Sequence, residues 1–302
     1  MIHPRAAALR DRLRWQLVAA TATPTGPDGF DPDVFAHYLR GLVADGVGAL
    51  AVLAHTGRGP FQTAEVRDQV ITIARGTGVP VIVGVGGSAG ETLDAVVRQA
   101  QRAAELGADG LLVFPAGTDA LAWHDALWQA SGLPLLAFDL YVRPYPPAVL
   151  TELLAHPGVA GLKVARLHDA VACQAAIGAA NDADRLAITG EDRMFGPSLL
   201  WGAQSALVGL AAAAVPVTAR VLRAYADKEY ADFVTASAAL DRFAAVAFDE
   251  PVEGYVQRML WTAAAEGRIP AGFAADPQAP PLPDGEHDRV LGALHMEAQH
   301  AV

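Results

Sequence analysis

The sequence predicts a (β/α)8 barrel, the TIM-barrel class of α/β fold, with a C-terminal helical extension. With 302 residues, of which 52% are hydrophobic and 18% charged, the chain can bury one large core. Segments with a helical spacing of apolar residues end in glycine and alternate with short runs rich in Val, Leu and Ile. These runs are almost continuously apolar, as in parallel strands covered on both faces. Eight such units over roughly 250 residues fit a closed barrel better than an open sheet.

The eight apolar runs are the predicted strands. They lie at residues 16–20, 49–53, 81–85, 110–114, 135–138, 161–164, 186–189 and 205–209. From residue 216 onward the pattern becomes helical, and a proline-rich stretch precedes a last short helix. We therefore predict the barrel over residues 1–215 and the helical extension over residues 216–302, packed on the barrel as one structural domain.

The segments between the strands carry signals for the start and end of helices. Asp31 can cap a helix whose first residue is Pro32, and that helix is expected to stop near Gly46. Thr63 can cap the following helix, which is expected to end near Gly76. These signals support the alternation of strand and helix that a barrel requires.

Charge and cysteine content restrict the expected partners and compartment. The 22 basic and 33 acidic side chains give a net charge of −11 without basic clusters, so we expect no nucleic-acid partner. The single cysteine, Cys173, and an N-terminus without an apolar segment after its arginines fit a cytoplasmic location. Residues 194–219 carry no charged side chain, but they are rich in Ala and Gly and contain Pro216. This composition indicates buried core, so we expect no membrane span.

In such a barrel the catalytic groups lie at the carboxyl ends of the strands and in the loops that follow. This rule selects a short set of polar side chains, to which two glycines of the same loops are added as substrate-binding candidates. The candidates are His55, Thr56 and Gly57 after strand two, Asp139 and Arg143 after strand five, Lys163 in strand six, Glu191, Asp192 and Arg193 after strand seven, and Gly209 at the end of strand eight.

Lys163 is the most informative candidate. It is one of only two lysines, and the other, Lys228, lies in an ordinary polar helix segment. Burying an ammonium in an apolar strand is costly unless the group is paired or loses its proton. A desolvated lysine that is partly neutral can attack a ketone and form a Schiff base, which an arginine could not do. The alternative is that Lys163 lies at the frayed end of its strand and extends into solvent.

The other candidates have structural alternatives. His55 is either a proton-transfer group or a structural hydrogen-bonding group, while Thr56 and the backbone N–H groups beside it could hold a carboxylate. Glu191 could cap the next helix or face the barrel mouth. Arg143 could bind an acidic substrate group or pair with a surface carboxylate.

No cofactor or metal is expected from motifs. The glycine-rich stretch at residues 84–90 follows a strand, but the next strand does not end in the acidic residue that a dinucleotide site requires. His55, Asp139 and Glu191 could meet in a barrel mouth, yet their spacing matches no local ligand pattern. A tight turn is the simpler interpretation of the glycine-rich stretch.

Four segments resemble the dihydrodipicolinate synthase/N-acetylneuraminate lyase family of Schiff-base, class I aldolase barrels, and the likeness covers nearly the whole chain. They are Ala-Thr-Ala-Thr-Pro-Thr-Gly-Pro-Asp-Gly at 20–29, Ala-His-Thr-Gly-Arg-Gly at 54–59, Gly-Leu-Lys at 161–163 and Thr-Gly-Glu-Asp at 189–192. The resemblance implies that Lys163 forms the imine and that the loop containing Thr56 binds the substrate carboxylate. It also implies a homo-oligomer, a dimer or a tetramer.

The sequence departs from the family pattern at proton-transfer positions. Phe138 stands where members usually have the tyrosine that moves protons, and a phenyl ring cannot donate or accept one. His55 replaces the first threonine of the carboxylate loop, and Pro115 begins the segment where an aromatic pair is expected. Arg143 stands where many members keep a substrate-binding arginine. Neither dihydrodipicolinate synthase itself nor a standard neuraminate lyase is therefore expected.

We predict a cytoplasmic lyase, an aldolase or dehydratase, that acts on a pyruvate-derived or sugar-derived 2-oxo acid through Lys163. His55 or Asp139 would take over proton transfer from the missing tyrosine. Two alternatives remain open at this point. One is a catalytically degenerate barrel that binds a small acid, and the other is a metal-dependent lyase or isomerase using His55, Asp139 and Glu191.

Overall fold

The computed structural model describes residues 1–116 and 119–300, with the side chains of residues 295–300 excepted. Eight parallel strands close into a barrel, which confirms the predicted fold class. They are β1 (Leu17–Ala20), β2 (Ala49–Val52), β3 (Val81–Val85), β4 (Gly110–Val113), β5 (Leu135–Leu140), β6 (Val159–Ala165), β7 (Leu186–Thr189) and β8 (Ser205–Val208). Each predicted strand overlaps one of these. A short hairpin follows β1, in which the two-residue strands Thr25–Gly26 and Gly29–Phe30 pair in antiparallel fashion.

The barrel closes because β1 pairs with both β2 and β8. Val18 lies opposite Ala49 on one side and opposite Leu207 on the other. On the far side of the barrel, Lys163 of β6 lies opposite Phe138 of β5. This register places the side chains of Lys163 and Phe138 on the same face of the sheet.

Helices connect the strands and continue after β8. They are α1 (Pro4–Leu13), α2 (Pro32–Ala44), α3 (Ala64–Arg75), α4 (Leu93–Glu105), α5 (Ala120–Ser131), α6 (Pro147–Ala155), α7 (Ala170–Asp182), α8 (Phe195–Leu200), α9 (Val215–Ala226), α10 (Tyr230–Ala247), α11 (Tyr255–Ala265) and α12 (Glu286–His300). Short 3-10 helices cover Gly59–Phe61, Leu210–Ala212, Val252–Gly254 and Ala271–Phe273. None of the helices in the described ranges is long and apolar enough to cross a membrane.

The predicted helix caps form as expected. The side chain of Asp31 accepts hydrogen bonds from the N–H groups of Asp33 and Val34 at the start of α2. The Thr63 hydroxyl accepts one from the N–H of Val66 at the start of α3, and that helix ends just before Gly76. Each cap satisfies N–H groups that have no partner inside the helix.

Alternation along the strands divides the core into two parts. Apolar side chains such as Val18, Ile82 and Leu136 fill the barrel interior, whereas Leu50 and Val83 pack outward against the helices. α1 closes the amino ends of the strands, since its buried Leu9 and Leu13 belong to the interior cluster. The opposite end, where the strands finish, is therefore the end that can hold a site.

The C-terminal extension reaches that end of the barrel through Phe248, Val252 and Tyr255. Arg258 of α11 is fully buried and its Nε lies 2.6 Å from Oε1 of Glu286 in α12. Its Nη1 also donates to the carbonyl oxygen of Asp249 at 2.7 Å. A buried charge requires such partners, and this pairing fixes the turn Val252–Gly254 that precedes α11.

A second buried arginine ties the loop after β2 to the same helices. Arg58 is 8% exposed, and its Nη2 lies 2.7 Å from Oδ2 of Asp276. Its Nη1 lies 3.1 Å from Oε2 of Glu253. The helical extension therefore supplies side chains to the mouth of the barrel.

Candidate active site

Lys163 is a buried amine inside the barrel. It is 5% exposed and lies within β6, so it does not extend into solvent from a frayed end. Burial lowers the pKa of Lys163 to about 8, although the nearby carboxylates of Asp192 and Glu191 act in the opposite direction. At neutral pH a part of the molecules therefore carries a neutral, nucleophilic amine.

Two neighbours shape the surroundings of this amine. The Nζ of Lys163 lies 4.2 Å from the centroid of the Phe138 ring, a cation–π contact. On the β7 side, a Cβ on Gly190 would lie 2.6 Å from Cε of Lys163. The glycine after β7 thus leaves the space through which the lysine side chain passes.

Lys163 lines a small cavity of about 30 Å³ at the carboxyl end of the strands. The cavity combines groups from the barrel with groups from the helical extension. Its walls include Phe138, Lys163, Gly190 and Gly209 from the strands and their ends, His55, Thr56, Tyr141 and Asp192 from the loops, and Phe248, Val252 and Tyr255 from the extension. The structure thus brings together four of the predicted site residues, Lys163, His55, Thr56 and Gly209, with Asp192.

The loop after β2 presents Thr56 and unpaired backbone donors. Within the described part of the chain, the N–H groups of Thr56 and Gly57 donate to no acceptor, whereas those of Arg58 and Gly59 bond back into the loop. The hydroxyl of Thr56 lies 3.0 Å from the Tyr255 hydroxyl. A Cβ on Gly57 would lie 2.9 Å from the carbonyl oxygen of Thr21, so this tight turn requires glycine.

His55 is held as a neutral imidazole. Its Nε2 lies 3.4 Å from Oε2 of Glu253, and the rings of Tyr141 and Tyr255 lie on either side with centroids 6.1 and 6.0 Å away. Burial lowers the pKa of His55 to about 4, even though Glu253 acts to raise it. Its ring can therefore accept a proton at neutral pH, although such a buried group holds it weakly.

Glu253 organises the groups above the cavity. It accepts a hydrogen bond from the Tyr141 hydroxyl, in addition to its contacts with His55 and Arg58. Burial acts to raise the pKa of Glu253, but the charges and hydrogen bonds of these three neighbours hold it below its ordinary value. This carboxylate is thus an anchor for three side chains that cover the site.

Asp139 is not brought to the cavity. It is fully buried, and it accepts hydrogen bonds from the Tyr145 N–H at 2.9 Å and from Nε of Arg166 at 2.5 Å. Its strand neighbours Phe138 and Leu140 line the cavity, so alternation directs Asp139 to the outer face of β5. This position indicates a structural role for Asp139, which binds the segment after β6, and its expected role in proton transfer stays a prediction.

The two acidic residues after β7 occupy different environments. Glu191 is 1% exposed, and its Oε1 accepts hydrogen bonds from the Leu167 N–H at 2.9 Å and from Sγ of Cys173 at 3.2 Å, outside the cavity wall. Asp192 lines the cavity, and its Oδ1 accepts a hydrogen bond from the Leu210 N–H at 2.7 Å. Burial raises the pKa of both carboxyls to about 7. Asp192 is the acidic group placed to meet a ligand.

Arg143 and Gly209 have contrasting positions. Arg143 is exposed and its Nη1 lies 3.4 Å from the carbonyl oxygen of Pro115, outside the cavity wall. Gly209 lines the cavity, and a Cβ there would lie 2.9 Å from Cε2 of Tyr255. The absence of a side chain at Gly209 therefore allows the tyrosine ring to approach.

Among the described residues, no group of three or more His, Cys, Asp or Glu side chains is placed to hold a metal ion. His55, Asp139 and Glu191, the set considered for a metal-dependent enzyme, point to different regions, since only His55 lines the cavity. Within the described residues, these three side chains therefore form no shared metal site.

The sequence profile of the dihydrodipicolinate synthetase family matches residues 15–263. The chain belongs to this family. Over 219 residues it is 29% identical to 4-hydroxy-tetrahydrodipicolinate synthase from Xanthomonas axonopodis pv. citri, covering 68% of this chain and 70% of that protein. Over 154 residues it is 34% identical to a probable 5-dehydro-4-deoxyglucarate dehydratase from Streptomyces coelicolor, covering 47% of this chain and 46% of that one. It thus spans about half the length of the second relative.

A solved member of the dihydrodipicolinate synthase group has the same fold. The synthase from Acinetobacter baumannii, crystallised in complex with pyruvate, superposes with a TM-score of 0.83 at 20% identity, covering 95% of this chain and 99% of that one. The predicted family and the predicted class of enzyme, a lyase of the aldolase or dehydratase kind, are thereby confirmed at the level of the family.

Several residues at or beside the cavity of the present chain were not among the candidates selected from its sequence. Glu253 and Tyr255 belong to the helical extension, and Tyr141 follows β5. The rule that selects residues after barrel strands covers Tyr141, but it cannot find Glu253 and Tyr255, which arrive from outside the barrel. A tyrosine at the start of a helix is by itself a weak signal, because it more often indicates packing.

Proposed function

We propose that the protein is a Schiff-base-forming lyase, an aldolase or dehydratase, that acts on a pyruvate-derived or sugar-derived 2-oxo acid. The observation that carries this proposal is the buried amine of Lys163, whose pKa falls to about 8 and which lines the cavity. The neutral amine attacks the C2 carbonyl and, with loss of water, gives an iminium ion. That cation accepts the electron pair released by C–C cleavage, or by proton loss from C3 before dehydration.

The loop after β2 would hold the carboxylate of the oxo acid. The N–H groups of Thr56 and Gly57 have no acceptor within the described residues, and adjacent backbone donors of this kind favour anions. Asp192, on the cavity wall, would accept a hydrogen bond from a distal hydroxyl of the substrate. Neutral His55 would exchange a proton with the departing fragment.

The groups that cover the amine limit the room for a substrate. The cavity beside Lys163 is small, at about 30 Å³, and a three-carbon acid would gain room there if the covering side chains moved. The cover is formed by His55, Tyr141 and the Val252–Gly254 turn, which Glu253 links together. We propose that this cover opens as the acid binds.

Reductive trapping tests the proposed chemistry. Incubation with pyruvate and cyanoborohydride is expected to add a stable mass to the peptide that contains Lys163. Lys163→Ala should remove the adduct, and Lys228→Arg, which changes the other lysine of the chain, should leave it unchanged. A Lys163 peptide that stays unmodified at saturating pyruvate and with sugar-derived 2-oxo acids would overturn the proposal. Thermal stabilisation by the same acids that persists in Lys163→Ala would then favour a degenerate binding barrel.

The assembly and the compartment are further parts of the proposal. We propose a homo-oligomer, a dimer or a tetramer, located in the cytoplasm. Leu200 of α8 and Val234 of α10 are 63% and 64% exposed on helices that pack together, and apolar side chains of this kind suit an interface. Sedimentation of the purified chain as a monomer at micromolar concentration would contradict the oligomer.

A further inference from the structure

Formation of an imine requires a proton donor at the C2 oxygen of the substrate. The carbonyl oxygen has to leave as water, and an acid held beside it accelerates this step by roughly 10²–10⁴-fold. Phe138, beside Lys163, has no proton to give. The donor therefore has to come from another group on the wall of the same cavity.

Most polar groups on that wall are already engaged. The Tyr141 hydroxyl donates to Glu253, and the same carboxylate holds Nε2 of His55. Asp192 is a carboxyl that accepts from the Leu210 N–H. A tyrosine whose proton is directed at a carboxylate is poorly placed to give it to a substrate.

Tyr255 differs from these groups in its partner. Its hydroxyl lies 3.0 Å from the Thr56 hydroxyl, and either oxygen can be the donor in this pair. The phenol can therefore point its proton into the cavity while it accepts from Thr56. After the proton has left, the Thr56 hydroxyl still donates a hydrogen bond to the phenolate oxygen, and neither side chain has to move.

The ring of Tyr255 is held in one position. It stacks on the ring of Phe248, with centroids 4.8 Å apart and planes 19° from parallel. On its edge, the missing side chain of Gly209 leaves room for Cε2. Tyr255 is 7% exposed and begins α11, which the buried pair of Arg258 and Glu286 fixes against α12. A donor held this firmly is oriented before the substrate arrives.

We propose that Tyr255, supplied by the C-terminal helical extension and paired with Thr56, is the proton donor for imine formation at Lys163. This inference rests on the proposed function and adds to it the residue that takes the place of the missing strand tyrosine. His55 keeps its separate role at the departing fragment.

The proton balance is closed at each step. As the neutral amine of Lys163 adds to C2, the carbonyl oxygen takes the proton of Tyr255, and the new N–H⁺ returns one to the phenolate. Tyr255 then protonates the C2 hydroxyl, which leaves as water while the C=N bond forms. The resulting phenolate faces the iminium cation, and it regains its proton from C3, or from the C4 hydroxyl by way of His55, as the electron pair moves to nitrogen.

Burial is consistent with this use of Tyr255. It raises the pKa of the phenol, so the group is protonated at neutral pH and ready to donate. The phenolate forms only beside a cation. The charge of the iminium ion and a hydrogen bond from the Thr56 hydroxyl stabilise it there.

The test compares the rate at which pyruvate becomes trapped on Lys163 in three variants. Tyr255→Phe removes one oxygen from a packed ring and is expected to slow trapping by about 100-fold or more, while the final extent at long times stays the same. Tyr145→Phe, the matched control, removes the hydroxyl of a buried tyrosine that does not line the cavity and should change the rate by less than about 5-fold. Thr56→Val removes the partner of Tyr255 and should slow trapping by about 10-fold.

The possible outcomes separate the assignment of Tyr255 from the Schiff-base proposal. Trapping of Tyr255→Phe at the parent rate, or equal slowing in Tyr255→Phe and Tyr145→Phe, would overturn the assignment and leave the Schiff-base proposal standing. Failure of the unaltered protein to trap any 2-oxo acid would overturn both. Thermal unfolding of each variant checks the fold, and if Tyr255→Phe does not fold, an unchanged rate in Thr56→Val overturns the assignment.

Discussion

The amine of Lys163 lies 4.2 Å from the centre of the Phe138 ring, its neighbour across the β5–β6 pair. The ring face attracts the charged form of the amine, whereas burial favours the neutral form. Burial dominates, because it lowers the pKa of Lys163 to about 8 even against the nearby carboxylates of Asp192 and Glu191. The contact with Phe138 therefore limits how far the pKa of Lys163 falls, but it does not reverse the direction of the shift.

Replacing Phe138 by leucine is expected to lower the pKa of Lys163 further. The substitution keeps the site apolar but removes a contact of roughly 0.5–2 kcal/mol, which corresponds to about 0.4–1.5 pKa units. The pH–rate profile of cyanoborohydride trapping with pyruvate should then have its midpoint below that of the parent protein. A midpoint displaced to higher pH would contradict this account of the contact.

Lys163 is expected to destabilise the fold at neutral pH. Its pKa falls from 10.5 to about 8 in the folded protein, so the unfolded chain binds more protons between these values and stability rises with pH across that window. Below about pH 8 the full cost applies, on the order of 3 kcal/mol. Lys163→Met should therefore raise the free energy of unfolding at pH 7, and the gain should disappear above pH 10.5.

Denaturant unfolding at pH 7 and pH 10.5 measures this difference, with Lys228→Met as the control for removal of an ordinary exposed lysine. The control should show no comparable gain at either pH. A Lys163→Met protein less stable than its parent at pH 7 would mean that pairing with Asp192 and Glu191 outweighs burial.

The barrel could be predicted from the sequence because its rules are local. Continuous apolar runs mark buried parallel strands, and glycine marks the end of a helix, so each strand–helix unit can be recognised from its own residues. Lys163 could also be identified, since one lysine in an apolar strand is unusual by composition alone. Both signals lie within a few neighbouring residues.

The rest of the site depends on which elements meet in space. Asp139 directly follows Phe138, and only the alternation of strand side chains directs it away from Lys163. Tyr255 is about ninety residues beyond Lys163 in the chain and reaches the cavity because Arg58 pairs with Glu253 and Asp276 of the extension at the barrel mouth. Contacts of this kind leave no pattern in the local sequence.

Gly190→Ala is expected to disable the amine. The new Cβ would lie 2.6 Å from Cε of Lys163 and 2.9 Å from the carbonyl oxygen of Val164, so the lysine side chain has to leave its path through the site. Trapping with pyruvate should fall by about 100-fold or more, and stability by about 1–3 kcal/mol. Gly178→Ala in α7 is the matched control, because a Cβ there contacts nothing and should stabilise the helix by up to about 1 kcal/mol. Equal trapping in both variants would contradict the placement of Lys163.

Asp139→Ala separates a structural role from a catalytic one. Asp139 is fully buried and its Oδ2 lies 2.5 Å from Nε of Arg166, so its removal leaves that guanidinium without its partner. Loss of one member of a buried pair costs roughly 3–5 kcal/mol, and the free energy of unfolding should fall by about that amount. Because Asp139 does not line the cavity, the trapping rate of the folded protein should stay within about 3-fold of the parent. Denaturant unfolding and trapping measured on the same preparation decide the point, with His55→Gln as the comparison on the cavity wall. If Asp139→Ala keeps its stability and loses a hundredfold in trapping rate, Asp139 is the proton-transfer group after all.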